Sequence, residues 1–229
     1  MSASIRDSAN AAQAGSYPVL SPQSSVLVRL LGLADYEKTW NEMRRFTAAR
    51  TPDTADELWL LQHPPVYTLG LAGRGEHLPQ RDNGIPVVKT DRGGQVTYHG
   101  PGQIVIYTLL DLPRLGIGVR ELVRRLEHAV IDLLAEYGIE AAGRENAPGV
   151  YVGEAKIAAL GLRIRRGCSY HGLAFNVDMD LAPFADIDPC GYAGLAVTQA
   201  RDLGIPDSID TLGGKLLAAL QSNLFDVQR

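Results

Sequence analysis

The segment V-Y-V-G-E-A-K-I-A-A-L-G-L-R-I-R-R-G-C-S-Y-H-G-L-A-F-N-V, residues 150–177, decides the fold that this sequence predicts. Its apolar runs at residues 150–152, 156–164 and 169–177 predict three strands. Gly153 and Glu154 form a tight turn between the first two runs. Short connections of this kind join antiparallel strands, because parallel neighbours need a long crossover. The segment therefore predicts an antiparallel sheet.

The rest of the chain extends this pattern. Apolar and β-branched runs predict further strands at residues 26–31, 57–62, 66–69, 86–90, 95–99 and 103–112. Helical periodicity predicts helices at residues 34–50, 119–137 and 211–225, the second of which ends at Gly138. Strands in antiparallel-looking pairs, few helices and no regular βαβ alternation predict an α+β fold, with mixed, largely antiparallel sheets packed with helices.

Composition limits the classes of function. The chain has 229 residues, a net charge of −4 and a pI of about 5.7, which argues against a nucleic-acid binder. It contains no apolar stretch long enough for a membrane span and no signal-peptide pattern at its N-terminus, so we expect a cytoplasmic protein. Residues 1–24 are rich in Ala, Ser, Gln and Pro and predict a flexible N-terminal extension, followed by a single domain over residues 25–229.

A glycine-rich segment, R-G-G-Q-V-T-Y-H-G-P-G-Q at residues 92–103, is the first candidate for chemistry. Glycines let a backbone approach a ligand closely and leave amides free to bind it. An ordinary hairpin with glycine turns explains the glycines equally well. The segment matches neither the phosphate-loop pattern nor the dinucleotide-binding pattern.

Cys190 and Lys156 are the second candidate. Cys190 lies in a loop bounded by Pro189 and Gly191, where a thiol is accessible, whereas Cys168 lies beside a strand and is expected to pack. Lys156 begins an apolar strand just past a turn, a position that by itself favours a solvated edge residue over a catalytic one. The spacing of cysteines and histidines predicts no metal site.

Longer motifs carry a resemblance to a known family. The stretches H-P-P-V-Y-T-L-G at residues 63–70, R-G-G-Q-V-T-Y-H-G-P-G-Q, K-I-A-A-L-G-L-R-I-R-R-G-C-S-Y-H-G-L-A-F-N-V from residue 156 and D-P-C-G-Y-A-G from residue 188 resemble the lipoyl(octanoyl) transferase family. The resemblance covers roughly residues 26–225 and implies a fold like the catalytic domain of biotin and lipoate ligases.

The resemblance also implies a reaction. An octanoyl group passes from octanoyl-acyl carrier protein to a specific lysine of a lipoyl domain, the first step of endogenous protein lipoylation. The implied protein partners are the acyl carrier protein, the lipoyl domains of 2-oxoacid dehydrogenase complexes and the glycine cleavage H protein. The implied enzyme needs no cofactor, does not bind nucleic acid or membrane, and is expected to be a monomer.

Site residues follow from the matched positions. The resemblance makes Cys190 the acyl-thioester cysteine and Lys156 its partner lysine. It implies acyl-binding walls made by Arg92, Gly93, Gly94, Gln95, Val96, Thr97, Tyr98, His99, Ala159, Leu160, Gly161, Gly172, Leu173 and Ala174. His63, His99 and His171 are weighed equally as hydrogen-bonded wall residues and as proton carriers.

Four arginines offer a docking patch for acidic protein substrates. Arg163, Arg165 and Arg166 lie on one predicted strand, and Arg144 lies in a nearby loop. A set of solvated surface arginines is the alternative reading of the same residues.

Two other functions remain open at this point. An ATP-dependent lipoate or biotin ligase has the same implied fold but activates a free acid and does not need a nucleophilic cysteine. A non-catalytic carrier-binding protein would keep the fold without the chemistry. Cys190 and Lys156 favour the transferase over both.

Overall fold

The computed structural model describes residues 16–18, 26–79, 82–145, 147–187 and 195–225. Cys190, the predicted nucleophile, lies outside the described residues. Within them the strands are β1 (Ser16–Pro18), β2 (Val26–Leu33), β3 (Asp56–Gln62), β4 (Val66–Leu69), β5 (Val87–Lys89), β6 (Val96–His99), β7 (Gln103–Leu109), β8 (Ala142–Gly143), β9 (Gly149–Val152), β10 (Ala155–Arg165) and β11 (Cys168–Asn176). The helices are α1 (Tyr36–Ala49), α2 (Leu112–Leu115), α3 (Val119–Ala135) and α4 (Ile209–Phe225), with short 3₁₀ helices at Gly75–His77, Ala182–Asp186 and Arg201–Leu203.

The strands form two sheets. The larger has the order β1-β2-β3-β7-β11-β10-β9-β8, and the smaller has the order β5-β4-β6. Among the described pairs, β2 with β3 and β4 with β5 are parallel, and the others are antiparallel. Residues 150–177 supply nearly all of β9 and the whole of β10 and β11, which pair antiparallel as predicted. The predicted α+β fold with mixed, largely antiparallel sheets is confirmed.

Helices cover both faces of the larger sheet. On one face α3 and α4 bury side chains such as Leu126, Leu133 and Leu216 against the sheet. On the other face α1 places Met43 against Trp59 and Tyr107. Each fully buried leucine contributes on the order of 1.5–3 kcal/mol, so both layers stabilise the packing of the helices on the sheet.

Helix boundaries follow from local chemistry. Asp35 caps α1 by accepting a hydrogen bond from the Lys38 amide at 2.9 Å. Gly138, with φ of 71°, follows α3 in the left-handed conformation that ends many helices. The predicted second helix is confirmed as α3. It ends at Ala135, and Gly138 follows three residues later.

The structure corrects the sequence prediction at two places. The strand predicted over residues 103–112 ends at Leu109, because Asp111 accepts a hydrogen bond from the Arg114 amide and caps α2. Within the predicted N-terminal extension, Ser16–Pro18 form β1 beside β2, which the sequence pattern does not predict. Residues 1–15 and 19–25, the rest of that stretch, lie outside the described residues. No helix in the described part combines the length and apolarity needed to cross a bilayer.

Candidate active site

A cavity of about 370 Å³ lies where the two sheets meet. That volume is within the ordinary range of small-ligand pockets. Its walls come from the glycine-rich loop before β6, from the middle of β10 and β11, and from one edge of α3. Of the predicted acyl-binding residues, those in its lining are Arg92, Gly93, Gly94, Gln95, Val96, Thr97, His99, Ala159, Leu160, Gly161, Gly172, Leu173 and Ala174. The structure therefore brings three segments that are far apart in sequence to one apolar cavity.

Tyr98 is placed differently from its neighbours. Its ring packs in the core of the smaller sheet, with ring centroids 5.6 Å from Tyr67 and 5.5 Å from Phe184. Because side chains alternate along β6, Val96 and Tyr98 share the face that packs in this core, and Thr97 and His99 share the opposite face. Val96, Thr97 and His99 reach the cavity lining, whereas Tyr98 does not.

Three glycines allow close approaches in the cavity walls. The Gly93 amide donates to the Leu162 carbonyl at 2.8 Å, which holds the loop against β10. A Cβ on Gly161 would lie 3.2 Å from both the Gly93 carbonyl oxygen and Arg92 Cδ. A Cβ on Gly172 would lie 2.0 Å from the Ile106 carbonyl oxygen, so this position admits no side chain without moving β7.

Arg92 holds the glycine-rich loop in place through buried hydrogen bonds. The side chain is buried, and its Nη2 donates to the Thr68 carbonyl at 2.6 Å and to the Gln95 carbonyl at 2.8 Å. Nε donates to Thr68 Oγ1 at 3.0 Å. Such charge-assisted bonds to backbone carbonyls fix the loop to β4 and leave a positive charge at the cavity wall.

Lys156 is buried, in contrast to the solvated edge position that its sequence context favours. Its Nζ donates to the Pro148 carbonyl at 3.3 Å and lies 5.1 Å from the centroid of the Tyr151 ring. Gly149, at φ of 143°, leaves the space that the lysine side chain crosses. The local pattern missed this burial because the groups that cover Lys156 come from other segments.

The backbone of Lys156 is bonded to the chain that follows the Cys190 segment. Its amide donates to the Ala196 carbonyl at 2.8 Å, and its carbonyl accepts from the Thr198 amide at 3.0 Å. Leu195 and Val197 line the cavity. The chain thus returns to the cavity beside Lys156 immediately after the undescribed residues 188–194.

The chain also leaves from this cavity. Phe184 lines it, and Ile187 is buried in the core of the smaller sheet. Cys190 follows Ile187 by three residues, a span of at most about 11 Å. One end of the segment that carries Cys190 is therefore fixed beside Lys156, and the other end is fixed in the core of the smaller sheet, close to the cavity.

His99 and His63 are neutral groups beside the cavity. Burial lowers the pKa of His99 to about 3 and that of His63 to about 4. His99 lines the cavity and pairs through Nδ1 with Gln103 Oε1 at 2.7 Å. His63 lies behind the wall, where Nδ1 donates to the Ala34 carbonyl and Nε2 accepts from the Tyr107 hydroxyl, both at 2.7 Å.

His171 lines the cavity and is held by Asp91, a residue that sequence reasoning missed. Burial lowers the pKa of His171, and its Nε2 donates to Asp91 Oδ1 at 3.0 Å. Burial raises the pKa of Asp91, but hydrogen bonds from His171, Tyr170 and Trp40 outweigh it and keep the carboxylate ionised. The signal available in the sequence was its place directly before the glycine-rich segment.

The arginine patch differs from the predicted one. Arg163, Arg165 and Arg166 are exposed at the end of β10 and in its turn, as expected. Arg44 of α1 lies near the same surface. Burial and Asp91 raise the pKa of Tyr170 to about 12, and the nearby charges of Arg163 and Arg44 partly offset that rise. Arg144 does not join them, since it pairs with Glu154 at 2.9 Å and lies over the Tyr151 ring. The basic patch is therefore Arg44, Arg163, Arg165 and Arg166.

No group of three or more Cys, His, Asp or Glu side chains able to hold a metal ion occurs among the described residues. The titratable groups of described residues that line the cavity are the amine of Lys156, the imidazoles of His99 and His171, the guanidinium of Arg92 and the phenols of Tyr36 and Tyr107.

Comparison with known proteins gives a consistent family. Residues 35–221 match the model of the lipoyl protein ligase A/B catalytic domain. The chain is 64% identical over 198 residues to the octanoyltransferase of Dechloromonas aromatica (strain RCB), covering 86% of this chain and 96% of that one. It is 62% identical over 201 residues to the octanoyltransferase of Nitrosospira multiformis, covering 88% and 93% of the two chains.

Solved structures share the fold at low sequence identity. A lipoate-protein ligase A bound with ATP superposes with a TM-score of 0.72 at 20% identity, covering 86% of this chain and 84% of that chain. The biotin protein ligase from Aquifex aeolicus, in complex with biotin and ATP, superposes with a TM-score of 0.55 at 14% identity, covering 87% and 69%. These likenesses confirm the predicted resemblance to biotin and lipoate ligase catalytic domains.

Proposed function

Because this chain belongs to the lipoyl protein ligase A/B catalytic domain family and is an acyltransferase, we propose that it carries an octanoyl group, as a thioester on Cys190, from octanoyl-acyl carrier protein to a lysine of a lipoyl domain. The observation that carries the proposal is the burial of Lys156 at an apolar cavity whose lining includes thirteen of the predicted acyl-binding residues.

The first half-reaction moves the acyl group between two sulfurs. Lys156 takes the proton from the Cys190 thiol, and the thiolate attacks the thioester carbonyl of the donor. A carbon–sulfur bond forms to Cys190, and the bond to the carrier's pantetheine sulfur breaks. The departing thiolate takes the proton back from Lys156. One thioester replaces another, so the step needs no ATP.

The second half-reaction moves the acyl group to nitrogen. The target lysine, as a neutral amine, attacks the acyl-Cys190 carbonyl. Its nitrogen gives a proton to Lys156 as the carbon–nitrogen bond forms, and Cys190 leaves as a thiolate. The proton on Lys156 then returns to Cys190, which restores the starting state. One buried lysine thus serves both halves of the reaction.

The cavity supports an acyl chain as the transferred group. Val96, Leu160, Leu173 and Val123 give it apolar walls. Burial of each CH₂ contributes roughly 0.8 kcal/mol, which suffices for binding but discriminates between neighbouring chain lengths only modestly.

The basic patch supports acidic protein partners. Arg44, Arg163, Arg165 and Arg166 are exposed and form no salt bridge with a described carboxylate, although the chain carries a net charge of −4. Concentrated positive charge on an acidic protein steers acidic partners to one face. We place the reaction in the cytoplasm, because a reactive Cys190 thiol needs a reducing compartment.

Intact-protein mass spectrometry after mixing with octanoyl-acyl carrier protein, without ATP, tests the proposal. We expect a single octanoyl adduct that hydroxylamine removes. Cys190→Ser should lose the adduct, and the matched variant Cys168→Ser should keep it, because Cys168 is buried at the far end of β11 and burial raises its pKa. Modification that instead requires ATP and free octanoate would favour a ligase.

A further inference from the structure

A chain of buried hydrogen bonds connects the cavity to the strand beside Lys156. His99 Nδ1 lies 2.7 Å from Gln103 Oε1, and Gln103 Nε2 lies 3.0 Å from Asn176 Oδ1. Asn176 Nδ2 lies 3.0 Å from the Thr198 carbonyl oxygen, and the Thr198 amide donates to the Lys156 carbonyl. His99, Gln103 and Asn176 are all buried.

Backbone carbonyls set the direction of this chain. The Thr198 carbonyl can only accept, so the Asn176 amide nitrogen faces it and Asn176 Oδ1 faces Gln103. Gln103 Nε2 donates to that oxygen and also approaches the Tyr98 carbonyl at 3.3 Å, a second group that can only accept. Gln103 Oε1 is then left to face His99, and His99 Nδ1 must carry the proton.

The other ring nitrogen of His99, Nε2, consequently carries no proton and can accept a hydrogen bond. Nε2 has no hydrogen-bond partner among the described residues, and His99 lines the cavity. Three other atoms of cavity-lining residues that can accept, Gln95 Oε1, His171 Nδ1 and the Tyr36 hydroxyl oxygen, are fully buried and less accessible to a ligand. Burial lowers the pKa of His99 to about 3, so the ring stays uncharged at neutral pH.

The amine that receives the acyl group needs such an acceptor. When it attacks, its nitrogen passes one proton to Lys156 and keeps another N–H in a buried site. A buried donor without a partner costs about 1–3 kcal/mol. Arg92 and protonated Lys156 have only donors and give it no acceptor.

We propose that Gln103 and Asn176 are positioning residues that hold His99 in the Nδ1–H form, so that His99 Nε2 accepts a hydrogen bond from the attacking lysine amine. The inference rests on the proposed function and assigns His99 to its second half-reaction. The donor thioester carries no N–H at its reacting atoms, so the first half-reaction does not need this contact.

Measuring the rates of the two half-reactions separately tests the role of His99 and of the residues that position it. Gln103→Met removes the group that orients His99, and we expect transfer from preformed acyl-enzyme to a lipoyl domain to slow roughly tenfold, the loss of about one hydrogen bond. Formation of the acyl-enzyme should stay within about twofold of wild type. Gln199→Met is the matched control, since Gln199 is also buried and bonds the Met179 amide at 2.7 Å but does not line the cavity.

Nitrogen NMR of the histidine rings in the wild-type protein tests the geometry without any mutation. We expect His99 to show a protonated Nδ1 and a bare Nε2. A proton on His99 Nε2, or equal slowing of both half-reactions in Gln103→Met, would overturn the inference. Absence of any acyl adduct on the wild-type protein would overturn the proposed function instead. The NMR spectrum would still show which nitrogen of His99 carries the proton.

Discussion

Gly149 and Lys156 are packed so closely that a Cβ at residue 149 would lie 3.0 Å from Lys156 Cε and 2.6 Å from the Ala158 carbonyl oxygen. Gly149 also has a φ of 143°, which side chains rarely adopt, and its amide is bonded to Glu127 Oε1 at 2.9 Å. The position of the lysine amine therefore depends on the absence of a side chain one strand away.

Gly149→Ala should displace Lys156 and slow acyl-enzyme formation by more than about tenfold, as expected when a reacting group is misplaced by a fraction of an ångström or more. Rapid-quench mass spectrometry measures that rate. Gly153→Ala is the control, because Gly153 also has a positive φ, of 56°, but no atom lies within 4 Å of its added Cβ. Gly153→Ala should lower the free energy of unfolding by about 1 kcal/mol and leave the rate of acyl-enzyme formation unchanged. Equal rates in the two variants would contradict the role given to Gly149.

Lys156→Met should slow acyl-enzyme formation by about 10² to 10⁴, the usual contribution of a positioned acid–base group. Methionine keeps most of the side-chain volume, which limits the loss of packing. Lys215→Met, on α4 beside Asp207, removes a lysine that does not line the cavity and should leave the rate unchanged. Acyl-Cys190 formation at the wild-type rate in Lys156→Met would rule out the assignment.

Stability should fall in mild acid because buried histidines must be protonated. The folded-state pKa values of His63 and His99, about 4 and about 3, lie below their ordinary value of 6.5. The unfolded chain therefore binds more protons than the folded chain below about pH 6.5, and the stabilisation present above that pH is lost as the pH falls.

Each of these histidines should lower the free energy of unfolding by up to about 1.4 kcal/mol per pH unit between pH 6 and pH 4.5. Urea denaturation at several pH values measures the slope. His128→Gln, at an exposed position on α3, is expected to leave that slope unchanged. A free energy of unfolding that stays constant from pH 7 to pH 4.5 would contradict the neutral, buried state of both rings.

Charge reversal in the basic patch should weaken docking without changing the chemistry. Arg163→Glu combined with Arg165→Glu is expected to raise the KM for the acyl carrier protein about three- to tenfold at low salt, with kcat nearly unchanged. The effect should shrink at high salt, where exposed charges are screened. Arg124→Glu, an exposed reversal on α3, is the control. Steady-state kinetics in which KM does not respond to Arg163 and Arg165 would remove this surface from the docking site.

The strands of the larger sheet were predictable because their signal is local. Along β10 and β11 the apolar runs and the turns at Gly153 and Gly167 lie within one stretch of sequence, and the structure follows them closely. The strand at residues 103–112 was extended too far because Leu110 and Leu112 are apolar, whereas the Asp111 cap that ends it acts through a hydrogen bond to α2.

The site was less predictable because its determinants are tertiary. Lys156 is buried by Pro148 and by the 196–198 segment, neither of which its own strand pattern reveals. Asp91 acts through Trp40, Tyr170 and His171, whose positions become neighbours only after α1 packs on β11. The chemical roles of Cys190 and Lys156 came from the family resemblance and stay predictions.

The backbone hydrogen bonds between Lys156 and residues 196 and 198 raise the effective concentration of the Cys190 thiol near Lys156. The thiol of Cys190 is attached within a few residues of Ile187 on one side and Leu195 on the other, and both attachment points belong to the ordered core or cavity wall. A group tethered this closely meets its partner at an effective molarity far above that of a free thiol in solution. The hydrogen bonds beside Lys156 thus fix one end of the segment that carries Cys190, and the covalent length of that segment limits how far the thiol can lie from the proposed base.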